Sequence, residues 1–115
     1  LDVTTNPGIK EIDVRGDAAD LIDLSRSSEL ESLVCNYSNR KSLNLSRCNK
    51  LTYLECVGNS HLKKLAVSKN SMLKEVLLDG TELDSKSLKY LRATLKRNSD
   101  NNDDKDGQLR IEFEI

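Results

Sequence analysis

The stretch LTYLECVGNSHLKKLAVSKNSMLKEVLLDGT, residues 51–81, decides the fold, because its apolar residues recur at intervals of eleven. Within each interval the apolar residues stand three and then two positions apart, a spacing that matches neither the roughly 3.6 residues of a helical turn nor the simple alternation of a strand. Self-similarity at a fixed period indicates a repeat architecture. The four series are Leu51, Leu62 and Leu73; Leu54, Leu65 and Val76; Cys56, Val67 and Leu78; and Asn59, Asn70 and Thr81.

The same pattern extends back to the first residue as triplets that read apolar, variable, apolar. In a strand, the first and third side chains of such a triplet share one face, so we expect each triplet to be a short strand. Steps of ten or eleven residues separate the triplets, and the full unit is therefore a pair of 21 or 22 residues with two similar halves. The triplets are 1–3, 12–14, 22–24, 33–35, 43–45, 54–56, 65–67 and 76–78.

A small residue follows every triplet. Short polar side chains can hydrogen-bond to the backbone groups left open where a strand ends, so these positions predict tight bends. They are Asn6, Asp17, Ser27, Ser38, Cys48, Asn59, Asn70 and Thr81.

Stacking of such coils buries a core that one half alone cannot bury. Triplets 1–3, 22–24, 43–45 and 65–67 are expected to form one parallel sheet, sheet A. Triplets 12–14, 33–35, 54–56 and 76–78 are expected to form the facing sheet B. Four coils at the ~4.8 Å strand spacing make a stack of only ~20 Å, whose ends need covering.

Residues 1–81 resemble bacterial leucine-rich repeats of about 21 residues, in which two similar halves each supply a strand. The resemblance implies a right-handed solenoid used for binding, commonly on a secreted or surface-anchored bacterial protein. Leu1 already stands inside a repeat, so we expect the solenoid to be truncated at its N-terminus.

Two residues depart from the repeat. Ala19 and Arg40 occupy a position that is apolar and larger in the other coils, and they are 21 residues apart, hence on neighbouring coils. One bend is therefore short of apolar filling, and we expect Leu21 and Tyr37 to lean in and compensate.

Residues 82–115 are predicted to cap the solenoid within the same domain. Leu88, Leu91 and Leu95 have helical spacing and predict a helix over about 84–97, with Asp84 or Ser85 as N-cap. An acidic turn at 98–107 and an alternating strand at 108–115 complete the cap. The predicted fold class is α/β, mostly β: a leucine-rich-repeat right-handed solenoid with two parallel sheets and a C-terminal helix–strand cap.

The residues that could carry chemistry favour structural roles. Cys35 and Cys56 share one inward slot of sheet B, Cys48 lies in a bend, and no zinc-binding spacing is present, so we expect three buried thiols. His61, the single histidine, is expected in an exposed bend. No set of residues supplies a nucleophile, a base and an orienting group together, so we expect neither an enzyme nor a cofactor.

The acidic turn leaves one alternative open. Asn102, Asp104 and Asp106, followed by Gly107, match the start of a calcium loop. The twelfth position, which should be a bidentate Glu, is Phe113, so the site would be weak. A solvated turn is the favoured interpretation.

The outward face of sheet B is the candidate binding site. An apolar strip there lies among carboxylates, which is typical of a protein-recognition patch, although a covering cap or a chance scatter explains it as well. We expect noncatalytic recognition of a protein or surface ligand; the alternative is a spacer or end-cap of a longer repeat array, stabilised by calcium or not. The predicted binding residues are Val34, Asn36, Tyr53, Glu55, Val57, Leu77 and Asp79.

Charge and hydropathy restrict the partners. The formal net charge of −1 gives no overall attraction to nucleic acid, so none is expected as a partner. No apolar run approaches the ~18 residues of a membrane helix, so no membrane insertion of this segment is expected. We expect a monomer, and the resemblance implies a secreted or cell-surface location.

Overall fold

The computed structural model describes residues 2–69, 71–100 and 110–112, with side chains described for 2–69 and 71–99. The fold is mixed α/β and mostly strands, and it makes about three turns of a β-solenoid with parallel sheets. The elements are β1 Glu11–Arg15, α1 Asp17–Leu21, β2 Ser32–Asn36, β3 Ser42–Leu45, β4 Tyr53–Glu55, β5 Lys64–Val67, β6 Glu75–Leu77, α2 Ser85–Asp100 and β7 Arg110–Glu112.

Sheet B forms as predicted, with parallel strands in the order β1-β2-β4-β6-β7. Leu33 lies opposite Leu54, and Leu54 opposite Val76, so residues one repeat apart are in register. All three side chains are fully buried. The recurring aliphatic positions are therefore neighbours in one core, and the predicted stacking of coils is confirmed.

Sheet A is smaller than predicted. Strands β3 and β5 pair in parallel with Leu43 opposite Leu65, which confirms the stacking of these two triplets. Residues 22–24 form no strand, although Ile22 and Leu24 are buried, and residues 2–3 form none either. The predicted four-stranded sheet A is wrong, and Leu1 of its first triplet lies outside the described residues. The solenoid accordingly makes about three turns rather than four.

The Arg40 guanidinium explains why residues 22–24 form no strand. Its Nη1 donates hydrogen bonds to the carbonyl oxygens of Ala19 at 3.1 Å, Asp20 at 3.3 Å and Ile22 at 2.9 Å. Its Nε donates to Ser42 O at 3.1 Å. If residues 22–24 paired with β3 as β3 pairs with β5, the carbonyl oxygens of Asp20 and Ile22 would accept hydrogen bonds from β3. Arg40 occupies these acceptors instead.

The short helix α1 fills the bend at Ala19 and Arg40, which the sequence predicted to be short of apolar side chains. Ala19 lies within α1 and is completely buried, and Arg40 serves as donor to the helix's last carbonyls, which have no partner inside the helix. Leu21 is 83% exposed and Tyr37 60% exposed. The prediction that these two residues lean inward is wrong, because polar bonds rather than apolar volume close the bend.

The bends are held by side-chain bonds to the backbone, as expected of Asn, Ser and Thr. Asn59 Nδ2 donates to Cys35 O at 3.0 Å and to Val57 O at 3.2 Å, while its Oδ1 accepts from the backbone N–H and hydroxyl of Ser38. Thr81 Oγ1 donates to Leu78 O at 2.8 Å. Asn70 lies outside the described residues.

Helix α2 covers the end of the solenoid beside β5, and the predicted C-terminal helix is confirmed. Asp84 is its N-cap, since Asp84 Oδ1 accepts a hydrogen bond from the Ser87 N–H at 2.8 Å. The hydrogen bonds from the backbone and side chain of Ser87 lower the pKa of Asp84. Ser87 Oγ accepts from the Leu65 N–H at 3.2 Å, on the edge of β5. Leu91 and Leu95 are buried in the core.

The rest of the cap is described in part. Helix α2 continues to Asp100, so residues 98–100 of the expected acidic turn are helical. Strand β7 pairs in parallel with β6, with Ile111 opposite Val76. Residues 101–109 and 113–115, which hold the rest of the expected turn and strand, lie outside the described residues.

Candidate recognition face

The register of sheet B arranges its outward side chains in three rows across neighbouring strands. The burial pattern alternates along β1, β4 and β6, and along β2 up to Cys35, which places the exposed and half-buried residues on the side away from the core, and register places the buried Asn36 beside Arg15. The first row is Glu11, Ser32, Tyr53 and Glu75; the second is Asp13, Val34, Glu55 and Leu77; the third is Arg15 and Asn36, followed by Val57 and Asp79 just beyond the ends of β4 and β6.

The apolar strip predicted on this face remains partly open to solvent. Val34, Tyr53, Val57 and Leu77 are all half-buried, and helix α2 packs beside β5 of sheet A. The strip is therefore accessible on a surface whose backbone is fixed by the parallel ladder. All seven predicted binding residues lie in β2, β4 and β6 or within two residues of their ends.

Glu55 organises the centre of the face. Its Oε1 accepts a hydrogen bond from Tyr53 Oη at 2.6 Å, and its Oε2 accepts one from Asn36 Nδ2 at 2.6 Å. The Tyr53 bond, followed by the Asn36 bond, lowers the pKa of Glu55. Both donors are neutral, so the carboxylate keeps its negative charge while it holds the Tyr53 ring in place.

Asn36 acts on the face through its neighbours rather than by direct exposure. Only 4% of Asn36 is accessible, and its Oδ1 accepts the Val57 N–H at 2.9 Å. One amide group thus holds the Glu55 carboxylate and binds the backbone N–H two residues beyond the end of β4. A ligand on this face would meet Tyr53 and Glu55 and would depend on Asn36 for their position.

The three cysteines are free and buried, as expected. Burial raises the pKa of all three thiols, that of Cys48 to about 11. They are therefore protonated at neutral pH, whereas a thiolate is the form that attacks electrophiles or binds metals. His61 is exposed, as expected.

Concavities are present on the opposite side of the molecule. One of about 550 Å³ is lined by Leu21, Arg40 and Arg47 beside the unpaired segment 22–24. Another of about 440 Å³ lies between β5 and Tyr90 of helix α2. In the first, the Arg40 guanidinium already binds backbone carbonyls, so a ligand there would compete with the fold itself.

The predicted calcium loop lies in a part of the chain that the structure does not describe. Within residues 2–69 and 71–99, no group of three or more His, Cys, Asp or Glu side chains is placed to hold a metal ion. Asn102, Asp104 and Asp106, the candidate calcium ligands, lie outside the described residues.

No protein-family model, no curated protein and no solved structure matches the chain. Neither of the two helices in the described part of the chain is both long enough and apolar enough to cross a membrane.

Tyr37 is a surface feature that sequence reasoning placed wrongly. It directly follows Asn36, and the equivalent positions in the other coils, 16, 58 and 80, are glycines. A glycine column at repeat spacing indicates a backbone conformation with positive φ, which directs a side chain away from the inward slot. That signal was present in the sequence and predicts exposure of Tyr37.

Proposed function

We propose that this domain is a noncatalytic recognition module that binds a protein or other surface ligand through the outward face of sheet B. The half-buried apolar strip, set among carboxylates on a hydrogen-bonded parallel sheet, carries the proposal. Recognition surfaces commonly combine aromatic and aliphatic anchors with a polar rim. The sheet is formed before binding, so little backbone entropy is lost when a ligand docks.

The setting belongs to the same proposal. The eight triplets favour a right-handed leucine-rich-repeat domain, and that resemblance favours a secreted or cell-surface bacterial protein. The stacked strands support the repeat, and the partner would then be a macromolecule outside the cell. No cofactor is required for such binding.

The test begins with a displayed library of random peptides, selected on the immobilised domain. A sequence consensus should be enriched on the wild-type domain and lost with Tyr53→Ala or Leu77→Asp. Ala66→Asp is the matched control, because Ala66 is an exposed strand residue of sheet A. Enrichment that survives both sheet B substitutions, or no enrichment at all, would contradict the proposal.

The alternative is an end-cap of a longer repeat array. Helix α2 and strand β7 close one end of the solenoid, whereas β1, at the other edge of sheet B, pairs on one side only among the described residues. A preceding coil would fit that open edge. A spacer or end-cap tolerates Tyr53→Ala and Leu77→Asp without functional loss, so the same two variants separate the hypotheses.

A further inference from the structure

One backbone position has the same unusual conformation after four successive strands of sheet B, β1, β2, β4 and β6. Directly after the third outward row of sheet B, φ is 57° at Gly16, 56° at Tyr37, 73° at Gly58 and 77° at Gly80. Glycine adopts such angles freely because it has no Cβ, whereas a bulky residue there is strained. Tyr37 is the one residue other than glycine with positive φ in the described part of the chain.

The Tyr37 ring rests on the backbone of the next coil. A Cβ built on Gly58 would lie 2.4 Å from Tyr37 Cδ1 and 2.6 Å from Cε1, so only glycine leaves room for the ring. The Tyr37 N–H donates to Val57 O at 2.8 Å, which fixes the backbone beneath it. The result is a positioned aromatic ring that is 60% exposed.

This ring lies beside the candidate face. Tyr37 follows Asn36, and Gly58, which the ring covers, follows Val57; both neighbours belong to the third outward row. Tyr37 therefore stands at the edge of the sheet, next in the chain to the third outward row. An exposed aromatic ring held in a strained conformation is a common feature of recognition sites.

The charge of the face is one-sided. Among the described outward side chains, the carboxylates outnumber the single cation, Arg15. The ion pairs found among the described residues, Lys50–Glu29 and Lys63–Glu82, lie elsewhere. The acidic side chains are Glu11, Asp13, Glu55, Glu75 and Asp79.

We propose that Tyr37 is the aromatic anchor of the sheet B face, and that its partner is an extended peptide segment in which Lys or Arg alternates with apolar residues. The inference rests on the proposed recognition function and names its partner class. A cationic side chain is attracted to the face of the Tyr37 ring and to the surrounding carboxylates. The apolar residues of the peptide cover the strip of Val34, Val57 and Leu77.

A purely structural role for Tyr37 makes the opposite prediction about stability. Glycine stands at this position after β1, β4 and β6, so glycine is the relaxed residue there. If Tyr37 serves binding, Tyr37→Gly removes strain and weakens binding at the same time. If Tyr37 serves only the fold, losing its contact with Gly58 lowers the thermal midpoint.

The experiment uses a synthetic fluorescent peptide in which lysine alternates with valine, titrated with the full chain and followed by anisotropy. The matched peptide has glutamate in place of lysine. The wild-type domain should bind the lysine peptide and not the glutamate peptide, and added salt should weaken the binding. Tyr37→Gly should lower the affinity roughly tenfold without lowering the thermal midpoint, while Tyr37→Phe keeps the aromatic face and most of the affinity.

Each contrary outcome has a distinct meaning. If Tyr53→Ala abolishes binding and Tyr37→Gly does not, the anchor is wrong and the proposed recognition face stands. Equal binding of the lysine and glutamate peptides overturns the partner class. If neither peptide binds and the displayed library yields no consensus, the proposed function itself fails.

A second pair of variants tests the ring's position without changing Tyr37. Gly58→Ala places a methyl group where the ring lies, whereas Gly16→Ala meets nothing within 4 Å, although both positions have positive φ. Peptide affinity should fall with Gly58→Ala and stay unchanged with Gly16→Ala. Equal effects of the two substitutions would show that the ring's position does not matter for binding, which would overturn its role as anchor.

Discussion

Sheets A and B are built from the same repeat, yet one is continuous and the other interrupted. In sheet B all four predicted triplets contribute paired strands and β7 extends the ladder, whereas sheet A keeps only β3 and β5. Residues 22–24 bury Ile22 and Leu24 as a strand would, but Arg40 binds the carbonyls that β3 would use. Apolar periodicity thus determines burial, and the availability of backbone acceptors determines whether a buried triplet becomes a strand.

The bends that follow sheet B are also better hydrogen-bonded than those that follow sheet A. After sheet B, Ser38 and Asn59 of adjacent coils bind one another and the backbone. After sheet A, the equivalent residues are Ser27 and Cys48, and the buried Ser27 hydroxyl has no hydrogen-bond partner among the described residues. The sheet B side is therefore the better satisfied half of the solenoid, and it carries the candidate face.

The largest expected effect comes from the shared core. Leu54 is fully buried in the middle of sheet B, so Leu54→Ala should lower the free energy of unfolding by about 2–5 kcal/mol, measured by urea denaturation. Because both sheets contribute to one core cluster, amide hydrogen exchange should accelerate in β3 and β5 as well as in β2. Leu21→Ala, at an exposed site, is the control, with an expected change within about 0.5 kcal/mol. Faster exchange confined to sheet B would show that the two sheets unfold separately.

Much of the fold was predictable because the repeat makes each position report on its neighbours one coil away. The spacing of Leu43 and Leu65, or of Leu33 and Leu54, predicts both their burial and their register. Arg40 was not predictable in the same way, because a pattern of residue types records that a guanidinium stands at an apolar position, not which carbonyls it reaches. Helix α1 follows from that same local arrangement.

The candidate face was predictable as a surface but not as a network. Alternation along the strands places Tyr53 and Glu55 on one side, yet the bonds of Glu55 to Tyr53 and Asn36 depend on side-chain torsions that spacing does not specify. Asn36 was expected as a binding residue and is buried, since its amide satisfies two neighbours. Tyr37 required a comparison with the glycines of the other coils.

The next effect tests what interrupts sheet A. Arg40→Leu restores the apolar residue of the repeat but removes the donor for three carbonyl oxygens, of Ala19, Asp20 and Ile22. We expect a loss of about 1–3 kcal/mol in the free energy of unfolding, measured by urea denaturation. Arg26→Ala, at an exposed bend residue, should cost nothing measurable. A rise in stability with Arg40→Leu, together with new slow-exchanging amides near residue 22, would show that Arg40 blocks a strand without supporting the fold.

The buried thiols compare the local stability of the two sides. Cys56 follows β4 of sheet B, and Cys48 lies in the less satisfied bend after sheet A. A thiol-specific reagent added to the native protein should therefore modify Cys48 before Cys56, measured by mass spectrometry of digested protein over time. Modification of Cys56 first would place the weaker side at sheet B.

Thiol ionisation adds a pH dependence with a defined sign. Burial raises the pKa of Cys48 from 9.0 to about 11 in the folded chain. The associated stability is complete below pH 9.0 and is lost as the pH rises toward 11, because the unfolded chain releases this proton first. Urea unfolding across this range should show a smaller alkaline loss for Cys48→Val than for the wild type. An unchanged slope would mean that Cys48 ionises equally in both states.

The smallest expected effects compare the bend residues after sheet A, Ser27 and Cys48, with those after sheet B, Ser38 and Asn59. Ser38→Ala removes a hydroxyl that is bonded to Asn59 and should cost about 1 kcal/mol, whereas Ser27→Ala removes a buried hydroxyl without a partner among the described residues and should be neutral or slightly stabilising. Cys48→Asn recreates beside Ser27 the pair that Ser38 forms with Asn59, and we expect a gain of about 1 kcal/mol in urea denaturation. The gain should shrink in the Ser27→Ala background, since the new amide then has no hydroxyl to accept from and keeps its bonds to the backbone alone. Equal costs for Ser27→Ala and Ser38→Ala would mean that the two columns are satisfied alike, and the contrast between the sheets would then rest on Arg40 alone.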